Sequence, residues 1–160
     1  MLIYVVVATP LHTRYILKDG KPVIFDDQLP QKTKRISYSI DRFDPIVLRG
    51  QNLYHLWGWA VVRGDPDPTA YERLIVLRSD NHIYFFSSVN QARPEIQAQI
   101  PELNLPLNTG FSAHISKDVI PLGVYRIGFL FRHRTSDTRY YLVTDRKIIR
   151  TPNKIQLVAP

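Results

Sequence analysis

Between Tyr54 and Tyr141 the sequence alternates short apolar stretches with Gly, Pro and Asp-Asn breaks, and this pattern constrains the fold more than any other feature. Short stretches rich in Val, Ile, Tyr and Phe are typical of β-strands. The turn signals recur about every eight to twelve residues, which is the spacing found in β-sandwiches. Because no long helical pattern interrupts them, we expect an all-β fold of two packed antiparallel sheets.

Seven segments carry the strongest strand patterns, and two more near the C-terminus are interpreted as continuations of a final edge strand. The one helical pattern lies in 92–103, where Pro101 limits a helix to about two turns. The chain has no cysteine, so the sequence predicts an immunoglobulin-like sandwich without the inter-sheet disulfide. The predicted strands are 36–43, 53–62, 71–77, 83–89, 110–115, 124–132 and 139–144, followed by 145–150 and 155–158.

The first 35 residues are predicted to form an N-terminal extension and linker, and residues 36–160 the sandwich domain. The apolar run 1–10 is too short to span a membrane and has no basic residues before it. Its β-branched content favours a first strand. The alternative is the remnant of a longer hydrophobic segment, which would associate the protein with a membrane. Asp19-Gly20 predicts a turn between the apolar pieces 15–17 and 23–25.

The charge balance is basic, with 21 Lys and Arg against 14 Asp and Glu and a net charge of +7. This excess favours contact with anionic partners such as nucleic acid, acidic glycans or phospholipid headgroups. The cations are scattered along the sequence, however, and cations at outward strand positions also solvate a sheet and prevent edge pairing.

No residue pattern predicts catalysis, a metal site or a cofactor. The five histidines show no metal-ligand spacing. The segment 79–82 contains Ser, Asp and His, but neighbouring side chains in a tight turn diverge and cannot line up as a catalytic triad. Asp65, Asp67 and Glu72 form the best acidic cluster, yet two prolines and the small ligand set argue against calcium. We therefore expect a protein that is not an enzyme.

Two groups of residues are candidates for ligand binding. Trp57 and Trp59 project from the same side of one strand. They either fill the sandwich core or form an aromatic platform on which a sugar ring stacks. Since Gly58 and Ala60 on the opposite side are small, at least one tryptophan is expected in the core. The second group interleaves basic and aromatic side chains, as nucleic-acid-binding surfaces do, and comprises Arg132, Arg134, Arg139 and Tyr140.

Four short motifs together resemble an immunoglobulin-like module of bacterial cell-envelope proteins. They are Trp-Gly-Trp-Ala at 57–60, Arg-Pro-Glu-Ile at 93–96, Gly-Phe at 110–111 and Gly-x-Tyr-x-Ile at 123–127. Glu95 departs from the aspartate usual in that module. The resemblance covers about residues 36 to 150 and implies a non-enzymatic accessory or binding domain outside the cytoplasm.

These observations lead to two functional hypotheses. The first is a non-catalytic module that recognises a protein or glycan at a bacterial cell surface, which requires an exposed aromatic or basic patch on one sheet. The second is a binder of nucleic acid or another anionic polymer, which requires the arginines of 126–150 to gather on one face.

Overall fold

The computed structural model describes residues 2–3, 20–22, 29–65 and 67–159, which form ten strands and one short α-helix. The helix α1 spans Pro94–Gln99. The strands in chain order are β1 (Leu2–Ile3), β2 (Ile36–Leu48), β3 (Gln51–Val62), β4 (Tyr71–Arg78), β5 (His82–Ser87), β6 (Val89–Gln91), β7 (Gly110–Ile115), β8 (Gly123–His133), β9 (Arg139–Arg150) and β10 (Ile155–Leu157).

These strands form two packed sheets, so the predicted β-sandwich is confirmed. The small sheet has the order β2-β3-β7-β6, and the large sheet has the order β1-β5-β4-β8-β9-β10. All pairings between these strands are antiparallel except that of β1 with β5, which is parallel. With β2 as strand A, the small sheet has the A-B-E-D strand order of an immunoglobulin fold. In the large sheet, β4, β8 and β9 have the C-F-G order of that fold, and β5 is an added strand beside C.

A tyrosine at the start of β8 supplies a second immunoglobulin-like feature. The hydroxyl of Tyr125 donates a hydrogen bond to the carbonyl of Pro121, four residues upstream, at 2.8 Å. This is the arrangement of the tyrosine corner. Ile127, two residues further along, is fully buried at the position where antibody domains carry the second cysteine of their disulfide. Gly123 has a φ of +148° at the turn into this strand, which favours glycine.

The main core lies between the two sheets. Large aromatic side chains from four strands, β4, β5, β7 and β8, occupy it, including Tyr84, Phe111, Tyr125 and Phe129. The inner side of β3 contributes only the smaller Leu56, Ala60 and Val62 to the buried residues of this core. A second apolar cluster lies on the outer side of the large sheet and contains Leu74, Val76, Ile83, Phe85, Leu130 and Tyr141, with Leu29 packed against it.

One tryptophan is buried in an apolar core, as expected, but that core does not lie between the two sheets. Trp57 and Trp59 both lie on the outer side of the small sheet, where Trp59 is buried in a cluster of its own and Trp57 is half-buried. The physical reason is volume. Because aromatic rings from β5, β7 and β8 already occupy the space between the sheets, the side of β3 that faces them accommodates only small and aliphatic side chains at its buried positions.

Parts of the N-terminal segment join the large sheet. Leu2 and Ile3 pair with His82 and Ile83 at its edge, and Lys32 bridges to Tyr141. The predicted strand pieces 15–17 and 23–25 lie outside the described residues. Within the described ranges, no helix combines the length and apolar character needed to cross a bilayer.

A candidate recognition face on the small sheet

A β-bulge in the edge strand β2 brings charged side chains beside Trp57. Ile40 pairs with Gly58, but the next pair is Arg42 with Trp57, so Asp41 is an extra residue. A bulge of this kind bends the strand and redirects its side chains. The guanidinium carbon of Arg42 lies 5.6 Å from the centroid of the Trp57 ring. A strand without the bulge would turn Arg42 toward the other side of the sheet.

Arg93, which precedes helix α1, contacts the same tryptophan. Its guanidinium carbon lies 5.3 Å from the Trp57 ring centroid. One of its terminal nitrogens lies 3.0 Å from a carboxylate oxygen of Asp41, and its Nε contacts Glu95. Burial opposes the charge of Arg93, but the hydrogen bonds to Glu95 and Asp41 raise its pKa above the ordinary value. Arg93 is therefore a fixed cation over the indole.

Gly110 explains why Arg93 can reach this position. A Cβ at residue 110 would lie 2.4 Å from Cγ of Arg93 and 2.8 Å from the carbonyl oxygen of Gln91. Any larger residue would push the arginine off the sheet. The terminal Nη1 of Arg93 also donates to the carbonyl of Gly58 at 3.4 Å. The motifs around residues 58, 93 and 110 thus meet at one point of the fold.

Two histidines and a serine continue the patch along β3 and β7. His55 Nε2 and Ser112 Oγ share a hydrogen bond of 2.5 Å. The rings of His55 and His114 lie 5.1 Å apart, and His55 also stacks on Trp57 with 6.1 Å between centroids. Burial and the neighbouring His114 lower the pKa of His55, and Asp44 opposes this shift. His55 is therefore held in its neutral form at neutral pH.

Helix α1 and the segment after it pack on the outer side of the small sheet next to this patch. Trp59, Val61, Ile96 and Leu105 make a buried cluster between the helix and the outer side of β3. Burying an indole in this way removes a large apolar area from water and so contributes strongly to the stability of the fold. The helix is thus docked on the sheet, and Arg93 at its N-terminal boundary is held in place.

A buried arginine ties the two sheets together below the patch. Arg73 on β4 donates hydrogen bonds to the carbonyls of Ala60 at 2.9 Å, Thr109 at 3.2 Å and Gly110 at 2.7 Å, and to Oδ1 of Asn90 at 2.9 Å. Burial lowers the pKa of Arg73 to about 10. Its acceptors lie on or beside the ends of β3, β6 and β7, so it holds together the strands that carry the patch.

We call the outer side of the small sheet around this tryptophan the Trp57 face. One row crosses all four strands, from Arg42 through Trp57 and Ser112 to Val89. Val89 is 66% exposed at the edge. The face is completed by Asp41, Asp44, His55, Arg93, Glu95 and His114.

The predicted binding residues do not form one site. Trp57 lies on the Trp57 face, but Trp59 is buried under helix α1. The basic group lies on the other sheet. Arg132 is buried and forms an ion pair with Glu72, while Tyr140 is half-buried and accepts a hydrogen bond from Arg35 at 3.0 Å.

The remaining basic candidates also separate. Arg134 is exposed beyond the end of β8. Arg139 is half-buried opposite Arg132 on the outer side of the large sheet, whereas the adjacent Tyr140 packs against the core on the inner side. The basic and aromatic side chains are thus not interleaved on a single surface.

The other polar clusters of the sequence have structural partners. Asp65 accepts a hydrogen bond from the Tyr71 hydroxyl at 2.7 Å, and Glu72 pairs with Arg132. Ser79 Oγ accepts from the backbone N–H of His82 at 3.0 Å and so shapes the β4–β5 turn. In the part of the chain that the structure describes, no three His, Cys, Asp or Glu side chains converge in a way that would hold a metal ion.

Sequence reasoning missed most of the Trp57 face. The period-two spacing of His55, Trp57 and Trp59 places them on one side of a strand, and the same spacing relates Ser112 to His114. Nothing in the sequence marks the bulge at Asp41, which adds the charges.

Comparisons of this chain with protein-family models, with curated proteins and with solved structures found no match.

Proposed function

We propose that this protein is a non-catalytic recognition module that binds a partner protein through the Trp57 face. The observation that supports this most is a half-buried tryptophan on the outer side of the small sheet, with the guanidinium groups of Arg42 and Arg93 within 6 Å of its ring centroid, at 5.6 and 5.3 Å. Trp and Arg are among the residues most enriched at binding hot spots in protein interfaces. The exposed Val89 in the same row adds apolar contact area.

A protein partner fits this face better than a sugar. Stacking of a pyranose needs a free aromatic face, whereas both guanidinium groups already lie within 6 Å of the Trp57 ring centroid, at 5.6 and 5.3 Å. An anionic polymer is also disfavoured. Arg42 and Arg93 carry two positive charges and Asp41, Asp44 and Glu95 carry three negative ones, so the face has a net charge near −1. Such mixed charges suit a protein surface with complementary charges.

The pair of His55 and Ser112 supports recognition better than catalysis. A serine nucleophile needs backbone N–H groups free to stabilise an oxyanion. Ser112 lies in β7, which is paired on both sides, with β3 and with β6, so neighbouring amides are used in the sheet. Asp44, the carboxylate opposite His55, accepts a hydrogen bond from Arg42 at 2.9 Å. The hydrogen bond between His55 and Ser112 is therefore interpreted as one that orients these two side chains.

The proposal extends to the location. The resemblance to cell-envelope modules favours a role at a bacterial cell surface, where a domain of this kind presents one face of a sandwich to its partner. The lack of cysteine is compatible with that place and with the cytoplasm.

Site-specific photo-crosslinking tests the proposal. A photoreactive phenylalanine analogue replaces Val89 on the Trp57 face or, as a matched control, Val47, which is 72% exposed near the tip of the β2–β3 hairpin. Both proteins are irradiated in cells of the source organism and the adducts identified by mass spectrometry. The crosslinking at position 89 is repeated with Trp57→Ala after circular dichroism shows that the variant is folded.

We expect one partner protein to crosslink at position 89 but not at position 47. The purified partner should bind the Trp57→Ala variant at least about 30-fold more weakly than it binds the wild type, as for a hot-spot residue. Identical adducts at both positions would overturn the proposal, as would an adduct that persists in Trp57→Ala. A glycan array that shows Trp57-dependent sugar binding, with no protein adduct, would replace the protein partner by a glycan.

A further inference from the structure

On the opposite side of the sandwich, three cations lie next to one another across adjacent strands. Arg78 on β4 is the register partner of Arg126 on β8, which is in turn the partner of Lys147 on β9. We call these three residues the basic row. Like charges directly opposite each other on neighbouring strands destabilise a sheet, so this arrangement needs a physical reason.

Among the residues that the structure describes, the ion pairs join other cations to acids and leave the basic row without a carboxylate. Arg78 donates a hydrogen bond to the neutral hydroxyl of Tyr141 at 3.2 Å. Arg126 is exposed, and Arg78 and Lys147 are half-buried. Three positive charges are thus concentrated on one strip of the large sheet.

Exposed aliphatic side chains lie directly beside the basic row. Val124 and Ile149 are register partners in the next row, two residues from Arg126 and Lys147 along their strands. Val124 is 50% exposed and Ile149 is 37% exposed, and Leu122, just before the strand, is 60% exposed. The apolar cluster further along this side of the sheet is buried. On this side of the large sheet, the exposed aliphatic residues of the strands are therefore those next to the basic row.

From this juxtaposition we propose that this end of the large sheet docks on an anionic phospholipid bilayer, with the aliphatic residues entering the interface and the basic row on the headgroups. A basic strip beside aliphatic side chains is what peripheral membrane binding requires. Single-stranded nucleic acid would need exposed aromatic rings to stack on its bases. The aromatic ring that Arg78 contacts, Tyr141, is buried. The site is separate from the Trp57 face and does not depend on it.

Vesicle co-sedimentation tests this proposal with the full chain. The probes are vesicles of phosphatidylcholine alone and of phosphatidylcholine with phosphatidylglycerol in a three-to-one ratio. The charge variant is Arg126→Gln with Lys147→Gln, and its control is Arg134→Gln with Lys34→Gln, which removes two cations elsewhere. The apolar variant is Val124→Thr, and its control is Val47→Thr, at a valine that is 72% exposed.

We expect the wild type to bind the anionic vesicles, and to bind more weakly as salt rises. Each cation removed from the basic row should lower the partition coefficient about fivefold. Val124→Thr should also weaken binding, and both controls should bind as the wild type does. Absence of binding would overturn the proposal, as would equal losses in the control variants, which would indicate net charge alone. Binding of a short oligothymidylate that depends on Arg126 and Lys147, without vesicle binding, would assign the surface to nucleic acid instead.

Discussion

Substitution of Arg73 tests how the two sheets are held together beneath the Trp57 face. Its side chain is buried, donates four hydrogen bonds to oxygen acceptors and lies 5.3 Å from the ring centroid of Phe111. Among the described residues, the ion pairs involve other cations and leave Arg73 without a carboxylate partner. The charge is therefore compensated by carbonyl dipoles and an amide rather than by an opposite charge.

The size of the effect follows from two opposing contributions. Burial lowers the pKa of Arg73 from 12.5 to about 10, which corresponds to a cost of about 3 kcal/mol for the charged form. Four hydrogen bonds from a charged donor contribute about 1.5 to 3 kcal/mol each, or about 6 kcal/mol at the lower limit. Arg73→Met removes both contributions, so we expect the free energy of unfolding to fall by about 3 kcal/mol or more.

Arg73→Lys separates the two contributions. It keeps the buried charge, but an ammonium group concentrates its three donors at one point and cannot reach four acceptors spread over three strands. We expect Arg73→Lys to be at least as destabilising as Arg73→Met. In the wild type, the pKa of Arg73 is lower in the folded state than in the unfolded state, so the unfolded chain binds more protons than the folded one only above about pH 10. The stability difference between the wild type and Arg73→Met should therefore be constant from about pH 7 to about pH 9.

Urea unfolding followed by circular dichroism and tryptophan fluorescence measures these differences. Arg134→Met, at an exposed position, is the control and should change the free energy of unfolding by less than about 0.5 kcal/mol. If Arg73→Met were as stable as the wild type, the four hydrogen bonds would contribute no more than the charge costs to bury. A lysine variant of near wild-type stability would refute the importance of the guanidinium geometry.

Three further predictions concern the small sheet. Trp59→Ala should lower the free energy of unfolding by about 3 to 5 kcal/mol because the indole is buried under the helix. Trp57→Phe should change it by less than about 1 kcal/mol, since Nε1 of Trp57 has no acceptor among the described residues. Equal losses for the two variants in urea titrations would contradict this prediction. Because burial lowers the pKa of His55 in the folded state, the unfolded chain binds that proton more readily, so stability should decline as pH falls below about 6.5. His55→Asn should reduce that decline, and an unchanged pH profile would count against it. Gly58→Ala would place a Cβ 2.1 Å from the carbonyl oxygen of Ser39 and should cost more than about 2 kcal/mol in thermal or urea unfolding; wild-type stability would show that β2 can move away.

The strand pattern was largely predictable because it depends on local spacing. The strand predicted at 110–115 coincides with β7, and the helix predicted within 92–103 is the short α1 (Pro94–Gln99). The continuation predicted at 145–150 belongs to β9, and 155–158 contains β10, with β9 as its partner. Apolar periodicity and turn residues report such elements directly.

Strand β2 shows where local spacing fails. Its alternation predicts an end at Phe43, but the strand continues through Pro45 to Leu48. A proline is tolerated there because β2 is an edge strand with one neighbour. The hairpin turn at Arg49-Gly50, with φ values of 51° and 76°, also lacks the usual Asn-Gly signal. The continuation through Pro45 thus depends on the position of β2 in the sheet, and that position is not a local property.

The same bulged strand changed which residues share a side. Alternation along β2 predicts that the side chains of Phe43 and Ile40 point to opposite sides of the sheet. Because Asp41 is an extra residue, Phe43 instead lies on the core side, as Ile40 does. It also leaves both Asp41 and Arg42 near Trp57. The site therefore depends on a one-residue irregularity that the pattern of residue types does not indicate.

What the amino-acid order alone determined is that this chain forms two antiparallel layers, because the period of two and the turn spacing are properties of consecutive residues. Only the tertiary structure decided which side of β3 faces inward, since that choice depends on how much volume the rings from β5, β7 and β8 already occupy. Consequently the tryptophans lie outside, and the cations of distant strands become neighbours in rows whose register is set by sheet pairing.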